Sequence, residues 1–158
     1  MVTPWFGFDT VRDYIEDEAR GVCVYVHDSN PTAAEFQELE LKDGRQVYEV
    51  VTDRVATVWN EKGNVFVEAG ATYPEALRKV REIVGEDMVI LTAGIGAQGG
   101  TTDSVKGLFG TNGQRLLVNS SRGIIFAGEG STTSQEYFAK VKSAAEALRE
   151  TLLTTSQV

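Results

Sequence analysis

The sequence predicts an α/β protein with a parallel sheet, because short apolar runs alternate with helical patterns along its 158 residues. Four runs have the near-continuous apolar character of strands that are buried on both faces. Polar side chains and glycines cluster just after these runs, where parallel sheets bind ligands. The runs are Val22 to Val26, Val65 to Val67, Val89 to Leu91 and Leu116 to Val118, with a shorter stub at Met1 to Thr3.

Amphipathic patterns predict two helices in the first half of the chain. One runs from Thr10 to Glu18 with Asp9 as its N-cap, since a short acidic side chain binds free backbone amides. The other spans Val47 to Trp59 and repeats valine at helical spacing. The stretch from Pro31 to Gly44 is irregular, and we expect a loop or an insertion there.

Three further helices are expected in the second half. The segment Thr72 to Glu75 predicts a capping box with a proline in the first turn of a helix through Val84. A shorter helix is expected from Asp103 to Phe109. The last helix begins near Ser134, and the tail from Thr154 to Val158 is expected to fray. This helix has an apolar stripe that consists of Phe138, Val141, Ala145, Leu148 and Leu152.

The composition is that of one globular domain over residues 1–158, with 42% hydrophobic and 24% charged residues. No apolar run reaches the roughly 18–20 residues that span a membrane. The chain does not open on a signal peptide, so we expect a cytoplasmic protein without a membrane partner. A net charge of −8 without a Lys/Arg run disfavours nucleic acid as a partner. An anionic ligand then needs a local cationic contact.

A single cysteine and a single histidine limit the metal and redox chemistry of the chain. Cys23 lies inside an apolar run, so we expect it to be buried as a small hydrophobic residue. Neither an internal disulfide nor a zinc site of the usual nitrogen and sulfur type can form within the chain. A Ser-His-Asp triad is disfavoured, because Asp28 should point to the face opposite His27 and Ser29.

A glycine-rich turn directly follows the third of these apolar runs. Gly94 to Gly99 matches G-x-G-x-x-G, the pattern of a Rossmann dinucleotide site. That site needs an acidic residue about 20 positions later, and the segment Asn119 to Gly123 contains no carboxylate. The favoured alternative is a phosphate site shared by two neighbouring loops, as occurs after strands 7 and 8 of (β/α)8 barrels.

Both loops carry the groups that a phosphate needs. Glycines let the backbone approach an anion, Gln98 has an amide donor, and Arg122 offers a planar fork of donors. The short segment Gly123 to Phe126 is expected to add a helix N-terminus. The competing interpretation of Arg122 is a surface salt bridge without any ligand.

These motifs resemble those of orotidine 5′-phosphate decarboxylases, and the resemblance runs over nearly the whole chain. It implies an incomplete TIM (β/α)8 barrel of about five βα units that begins at strand 4. Leu91 to Gly100 looks like the family's strand-7 loop, Val118 to Ala127 like its strand-8 phosphate loop, and Asp28 to Pro31 like its strand-5 serine motif. Further similar stretches are Thr3 to Gly7, Trp59 to Asn60, Gly63 to Asn64 and Gly70 to Pro74.

The resemblance also implies roles for the site residues. Ser29 would hydrogen-bond the pyrimidine ring, Gln98 would bridge the base and the phosphate, and Arg122 with the nearby backbone would hold the 5′-phosphate. The reaction would convert orotidine 5′-phosphate (OMP) to UMP and CO₂ in pyrimidine biosynthesis, without a metal or organic cofactor. The implied substrate-binding residues are Ser29, Asn30, Gly94, Gly96, Gln98, Gly99, Ser121, Arg122 and Gly123.

The catalytic residues of the resembled family are missing from this chain. They are a lysine and a D-x-K-x-x-D motif, which stress the substrate carboxylate and protonate the carbon that CO₂ leaves. No D-x-K occurs here, and Asp103 to Lys106 has a different spacing. An incomplete barrel exposes two parallel edges. We therefore expect a second polypeptide that supplies strands 1 to 3, as in a split enzyme, or a chain that is a fragment of a longer protein. The alternative is association of copies into a homo-oligomer.

Two other functions stay open. One is a non-catalytic UMP-binding, phosphate-binding or assembly protein derived from the barrel. The other is a sugar-phosphate decarboxylase or aldolase of the same superfamily, against which Ser29 and the loop from Gly96 to Gly100 argue.

The chain departs from the family pattern at three places. Ala93 replaces a usual proline, and Glu68 occupies a strand position that is usually apolar and needs a partner or water there. His27 and Asp28 replace the more usual residues before Ser29.

Overall fold

A four-stranded parallel sheet forms the centre of the computed structural model, which describes residues 1–96 and 98–156. The four predicted apolar runs are confirmed as strands. The predicted stub is reduced to one residue, because Val2 makes a single parallel bridge with Val24 at the edge of the sheet. The strands are β1 (Val22–His27), β2 (Val65–Ala69), β3 (Ile90–Thr92) and β4 (Leu116–Val118).

The strands follow one another across the sheet in chain order, β1-β2-β3-β4. All three pairings are parallel, and Val67 lies opposite Ile90 in the central pair. A doubly wound sheet reverses its order at the point where it binds a dinucleotide. The described residues contain no such reversal, so the sheet is an arc of a barrel and the Rossmann alternative is wrong.

The first predicted helix is much shorter than expected. A 3₁₀ turn at Phe8–Thr10 precedes α1 (Arg12–Ile15), and Asp9 lies within that turn instead of capping the helix. The side-chain amide of Asn64 donates to the carbonyl of Ile15 at 2.9 Å, which gives the end of α1 a partner outside the helix. A side chain 49 positions away thus satisfies one of the carbonyls that the end of a helix leaves free.

The second predicted helix is confirmed over its full length. It consists of α3 (Val47–Arg54) and a π-helical turn at Val55–Trp59. A capping box begins it, in which the Glu49 carboxylate accepts from the backbone amide of Gln46. The preceding irregular stretch includes one short helix, α2 (Ala34–Gln37).

The third predicted helix is α4 (Pro74–Val84), with proline in its first turn as expected. The predicted capping box is wrong. Tyr73 is the N-cap, and the Thr72 hydroxyl donates to the carbonyl of Ser29 at 3.0 Å instead of to the helix. The buried face of α4 packs on the sheet through Leu77 and Val80.

Two predictions near the end of the chain are wrong in part. The expected helix from Asp103 is only a 3₁₀ turn at Thr102–Val105, and Gly107 turns the chain away with φ of 75°. The last helix, α6 (Ser134–Ser156), reaches into the tail that was expected to fray, and residues 157–158 lie outside the described chain.

The apolar stripe of α6 is only partly buried. Leu148 and Leu152 pack against the core, whereas Phe138 is 66% exposed. The stripe therefore holds the C-terminal part of α6 and leaves its beginning uncovered. No helix among the described residues is long and apolar enough to cross a membrane.

The two faces of the sheet differ in how they are covered. Val24, Val67 and Ile90 point to the helices and are fully buried. The alternate residues point the other way, to what would be the interior of a closed barrel. Leu117 on that face is 51% exposed, so this interior face is incomplete. Cys23, also on that face, is buried as expected, and burial raises the pKa of its thiol to about 12.

Candidate functional site

The loops after β1, β3 and β4 meet at one cavity at the carboxyl ends of the strands. Its volume is about 120 Å³, below the roughly 300–1,000 Å³ of pockets that enclose drug-sized ligands. The described chain therefore encloses only a small cavity at this end of the sheet. The lining residues are Ser29, Ala93, Gly94, Ile95, Gln98, Asn119, Ser120, Ser121, Arg122 and Gly123.

Ser29 is held in place by close contact with the neighbouring loop. Gly70 lies against it so tightly that a Cβ at Gly70 would come within 2.6 Å of the Ser29 Cα atom. The Thr72 hydroxyl donates to the Ser29 carbonyl at 3.0 Å, and the Tyr73 hydroxyl donates to the Asn30 carbonyl at 3.0 Å. These contacts fix the backbone after β1 and leave the Ser29 side chain at the cavity.

The glycine-rich turn after β3 closes on itself through backbone hydrogen bonds. The amide of Gly96 donates to the carbonyl of Gly100 at 2.8 Å, and the amide of Gly100 donates to the carbonyl of Gly94 at 3.0 Å. Gly94 has φ of 97°, which side chains rarely adopt, and a Cβ there would lie 2.9 Å from Oε1 of Gln98. The turn therefore requires glycine at position 94 to keep the Gln98 amide beside it.

Arg122 lies in the first turn of a short helix after β4. This helix, α5 (Ser121–Ile125), begins two residues before the predicted Gly123 and is followed by a 3₁₀ turn at Phe126–Gly128. Arg122 is exposed, and it takes part in none of the ion pairs between described residues. The salt-bridge interpretation of Arg122 therefore finds no carboxylate partner in the part of the chain that the structure describes.

The structure brings six of the nine predicted site residues to the cavity wall. The other three, Asn30, Gly96 and Gly99, do not line it. Gly96 and Gly99 shape the turn through positive φ angles, and Asn30 supplies a backbone carbonyl to Tyr73. Binding of a ligand by these residues stays a prediction.

Sequence reasoning missed four lining residues, Ala93, Ile95, Asn119 and Ser120. All four lie inside the segments that resemble the family's strand-7 loop and phosphate loop, so the signal was present and was assigned only to their neighbours. The backbone amide of Asn119 donates to the carbonyl of Thr92 at 2.8 Å. This bond joins the loops after β3 and β4 directly below the cavity.

The structure does not place His27 and Asp28 in a catalytic triad with Ser29. The His27 ring is fully buried, with Nε2 3.0 Å from Oε1 of Glu38 and Nδ1 3.1 Å from the carbonyl of Asp28. The Asp28 carboxylate accepts from the side-chain amide of Gln37 at 3.1 Å. His27 therefore supports the loop after β1 and does not contact the Ser29 hydroxyl.

Glu68 is buried on the interior face of the sheet without a full set of partners. Its side chain is 3% exposed, and Oε2 has no hydrogen-bond partner among the described residues. Burial, and then the negative charge of Asp28, raises the pKa of this carboxyl to about 8.

Similar proteins were found in sequence and in structure. An orotidine 5′-phosphate decarboxylase of Natronomonas pharaonis is 42% identical over 151 residues, which are 94% of this chain and 54% of that protein. One of Halorubrum lacusprofundi is 42% identical over 159 residues, 96% of this chain and 57% of that protein. A solved OMP decarboxylase of Leishmania donovani matches with a TM-score of 0.81 at 27% identity, over 99% of this chain and 56% of that chain. No family model matches.

Proposed function

We propose that this chain, which belongs to the orotidine 5′-phosphate decarboxylase family, is the phosphate- and pyrimidine-binding part of a decarboxylase that converts OMP to UMP and CO₂. The chain spans about half the length of the curated relatives that it matches. The observation that carries the proposal is the meeting of Ser29, Gln98 and Arg122 at one cavity, from three loops that are distant in sequence.

Each of these side chains has a task that follows from its chemistry. The Arg122 guanidinium presents parallel donors that suit a phosphate dianion, and no described carboxylate competes for it. The Gln98 amide can donate to one ligand group and accept from another. The Ser29 hydroxyl can do the same with a pyrimidine edge.

The chemical step needs groups that this chain lacks. The bond between the pyrimidine ring and its carboxylate breaks, CO₂ leaves, and a proton replaces it on the ring carbon. The lysine and aspartates for this step are absent from the sequence, which contains no D-x-K. We propose that a second polypeptide supplies them together with strands 1 to 3, and that the chain alone is inactive. Binding energy at the remote phosphate then favours the transition state in the completed site.

Ligand-dependent thermal stability tests the binding part of this proposal. UMP should raise the melting temperature of the chain, and a ligand at 100 times its Kd contributes about 2.7 kcal/mol. Arg122→Ala should abolish this shift, whereas Arg54→Ala, an exposed arginine on α3, should keep it. Stabilisation by ribulose 5-phosphate in place of UMP would favour a sugar-phosphate enzyme.

A second candidate function is a non-catalytic nucleotide-binding or assembly protein. The observation in its favour is the missing D-x-K-x-x-D motif. The two functions differ in one result. A decarboxylase gains turnover when the missing half of the barrel is added, whereas a binding protein stabilised by UMP does not.

A further inference from the structure

Glu68 is the buried acid whose position the proposed site does not explain. It lies on β2 in the middle of the sheet, opposite Tyr25 on β1 and opposite Leu91 on β3. Its side chain is on the interior face, away from the helices that pack on Val67 and Ala69. A carboxylate that is 3% exposed should have hydrogen-bond or ionic partners, because burial without them is costly.

The described part of the chain provides no cation for Glu68. Its Oε2 atom lacks any hydrogen-bond partner, and no ion pair between described residues includes it. The charged neighbour that acts on it most is Asp28, which repels the ionised form. Glu68 therefore has an acidic neighbour and no cationic partner among the described residues.

We propose that the Glu68 carboxylate binds a lysine or arginine that the barrel-completing polypeptide inserts into the barrel interior. The proposal rests on the proposed function, because it requires that another polypeptide covers this face. A cation offsets both the buried charge of Glu68 and its repulsion by Asp28, which a neutral donor cannot do. Leu117 on the same face is 51% exposed, so the described residues leave the β4 part of this face open.

Association with the missing half tests this inference. The probe is the part of the Natronomonas pharaonis relative that this chain does not match, mixed with the full 158-residue chain. Glu68→Gln keeps the shape and removes the charge, and it should raise the Kd of association roughly tenfold or more. Glu61→Gln, which removes the same charge from an exposed position, should leave the Kd unchanged.

The pH dependence of association provides a second measurement. Binding to a cation releases the Glu68 proton, so the association should tighten up to about tenfold per pH unit as the pH approaches 8. Glu68→Gln should remove this dependence. The other titratable groups beside Glu68 are Cys23, Tyr25 and Asp28, with the Met1 ammonium near Cys23. They are unchanged in the variant, so the difference between the two proteins belongs to Glu68.

The outcomes separate this inference from the proposed function. Equal or tighter association of Glu68→Gln would overturn the cationic partner and favour a protonated or unpaired Glu68. Failure of the unmodified chain to bind the half would overturn both the inference and the completion of the barrel. Association that weakens in Glu68→Gln, without decarboxylation of OMP, would support the inference and count against the proposed activity alone.

Discussion

Glu68 should give the isolated chain an unusual dependence of stability on pH. Its pKa is raised to about 8 by burial, whereas the unfolded chain binds the same proton with the ordinary value of 4.5. Between these values the folded state holds a proton that the unfolded state releases, so the free energy of unfolding falls as pH rises and levels off above 8. The loss is on the order of 1.4 kcal/mol for each pKa unit of difference.

Chemical denaturation between pH 5 and 9 measures this effect, with Glu68→Gln as the comparison. The variant should lose less stability than the unmodified chain over this range, because it has no proton to release. Parallel stability curves for the two proteins would mean that Glu68 titrates at its ordinary pKa in the folded chain.

Gly94 should be required for ligand binding more than for folding. Gly94→Ala places a Cβ 2.9 Å from Oε1 of Gln98 and forces alanine to adopt φ of 97°. The backbone cost is about 1–3 kcal/mol, and the clash should displace the Gln98 amide from the cavity. We expect the melting-temperature shift with UMP to disappear.

Gly63→Ala is the matched control, because Gly63 has φ of 71° but nothing within 4 Å of an added Cβ. It should destabilise the chain by a similar amount and keep the response to UMP. Loss of the UMP response in both variants would show that backbone strain alone, and not the position of Gln98, decides binding.

The sequence predicted residues that line the cavity where a motif was local, and it failed where a contact joins residues that are distant along the chain. Gln98 and Arg122 could be found because each lies in a short loop with recognisable neighbours. The Thr72 hydroxyl was assigned to a helix cap, but it donates to Ser29, which is 43 positions earlier. The acceptor of the Thr72 hydroxyl is determined by the packing of two loops against each other. The spacing of residues along the sequence does not reveal that packing.

At the level of elements, a buried arginine joins the loops at the amino ends of β3 and β4. The Arg81 guanidinium on α4 donates to the carbonyls of Met88 at 2.8 Å and Arg115 at 2.7 Å, which lie just before the two strands. It also donates to the carbonyls of Gly85 and Leu108. Buried carbonyls need such donors, so Arg81 links α4 to β3 and β4, the two strands whose following loops line the cavity.

Arg81→Lys should therefore destabilise the chain by roughly 2–4 kcal/mol, because an ammonium cannot reach four carbonyls in the geometry of the planar guanidinium. Urea denaturation measures the change. Arg78→Lys, on the exposed face of the same helix, should shift stability by less than about 0.5 kcal/mol. If Arg81→Lys changed the free energy of unfolding as little as Arg78→Lys, the loops would hold their conformation without the Arg81 guanidinium.

Strands were easier to predict than helices for a physical reason. Strands buried on both faces appear as apolar runs, and all four were placed correctly. Helix ends depend on which groups satisfy the last carbonyls and first amides, and here those groups are often remote. Asn64 at the end of α1 is one example. The end of α6 differs, because its threonine hydroxyls make only local bonds to carbonyls four residues earlier, and the helix continues to Ser156.

At the level of the whole molecule, the parallel sheet leaves one face without helices. The curated relatives are about twice as long as the segment they share with this chain, and the arc formed by β1 to β4 matches part of a solved OMP decarboxylase. The sequence anticipated this arc from its motifs and its length. It also marked Glu68 as an acid at a usually apolar strand position that needs a partner or water, but it could not show that Oε2 finds no hydrogen-bond partner among the described residues.

The most direct measurement is decarboxylation of OMP, followed by loss of orotate absorbance, for the chain alone and with the half that it lacks. We expect no turnover by the chain alone, turnover in the mixture, and loss of that turnover at low substrate in Arg122→Ala. Turnover by the chain alone would contradict the claim that the catalytic lysine and aspartates are absent. A mixture that binds UMP and stays inactive would contradict the decarboxylase function itself.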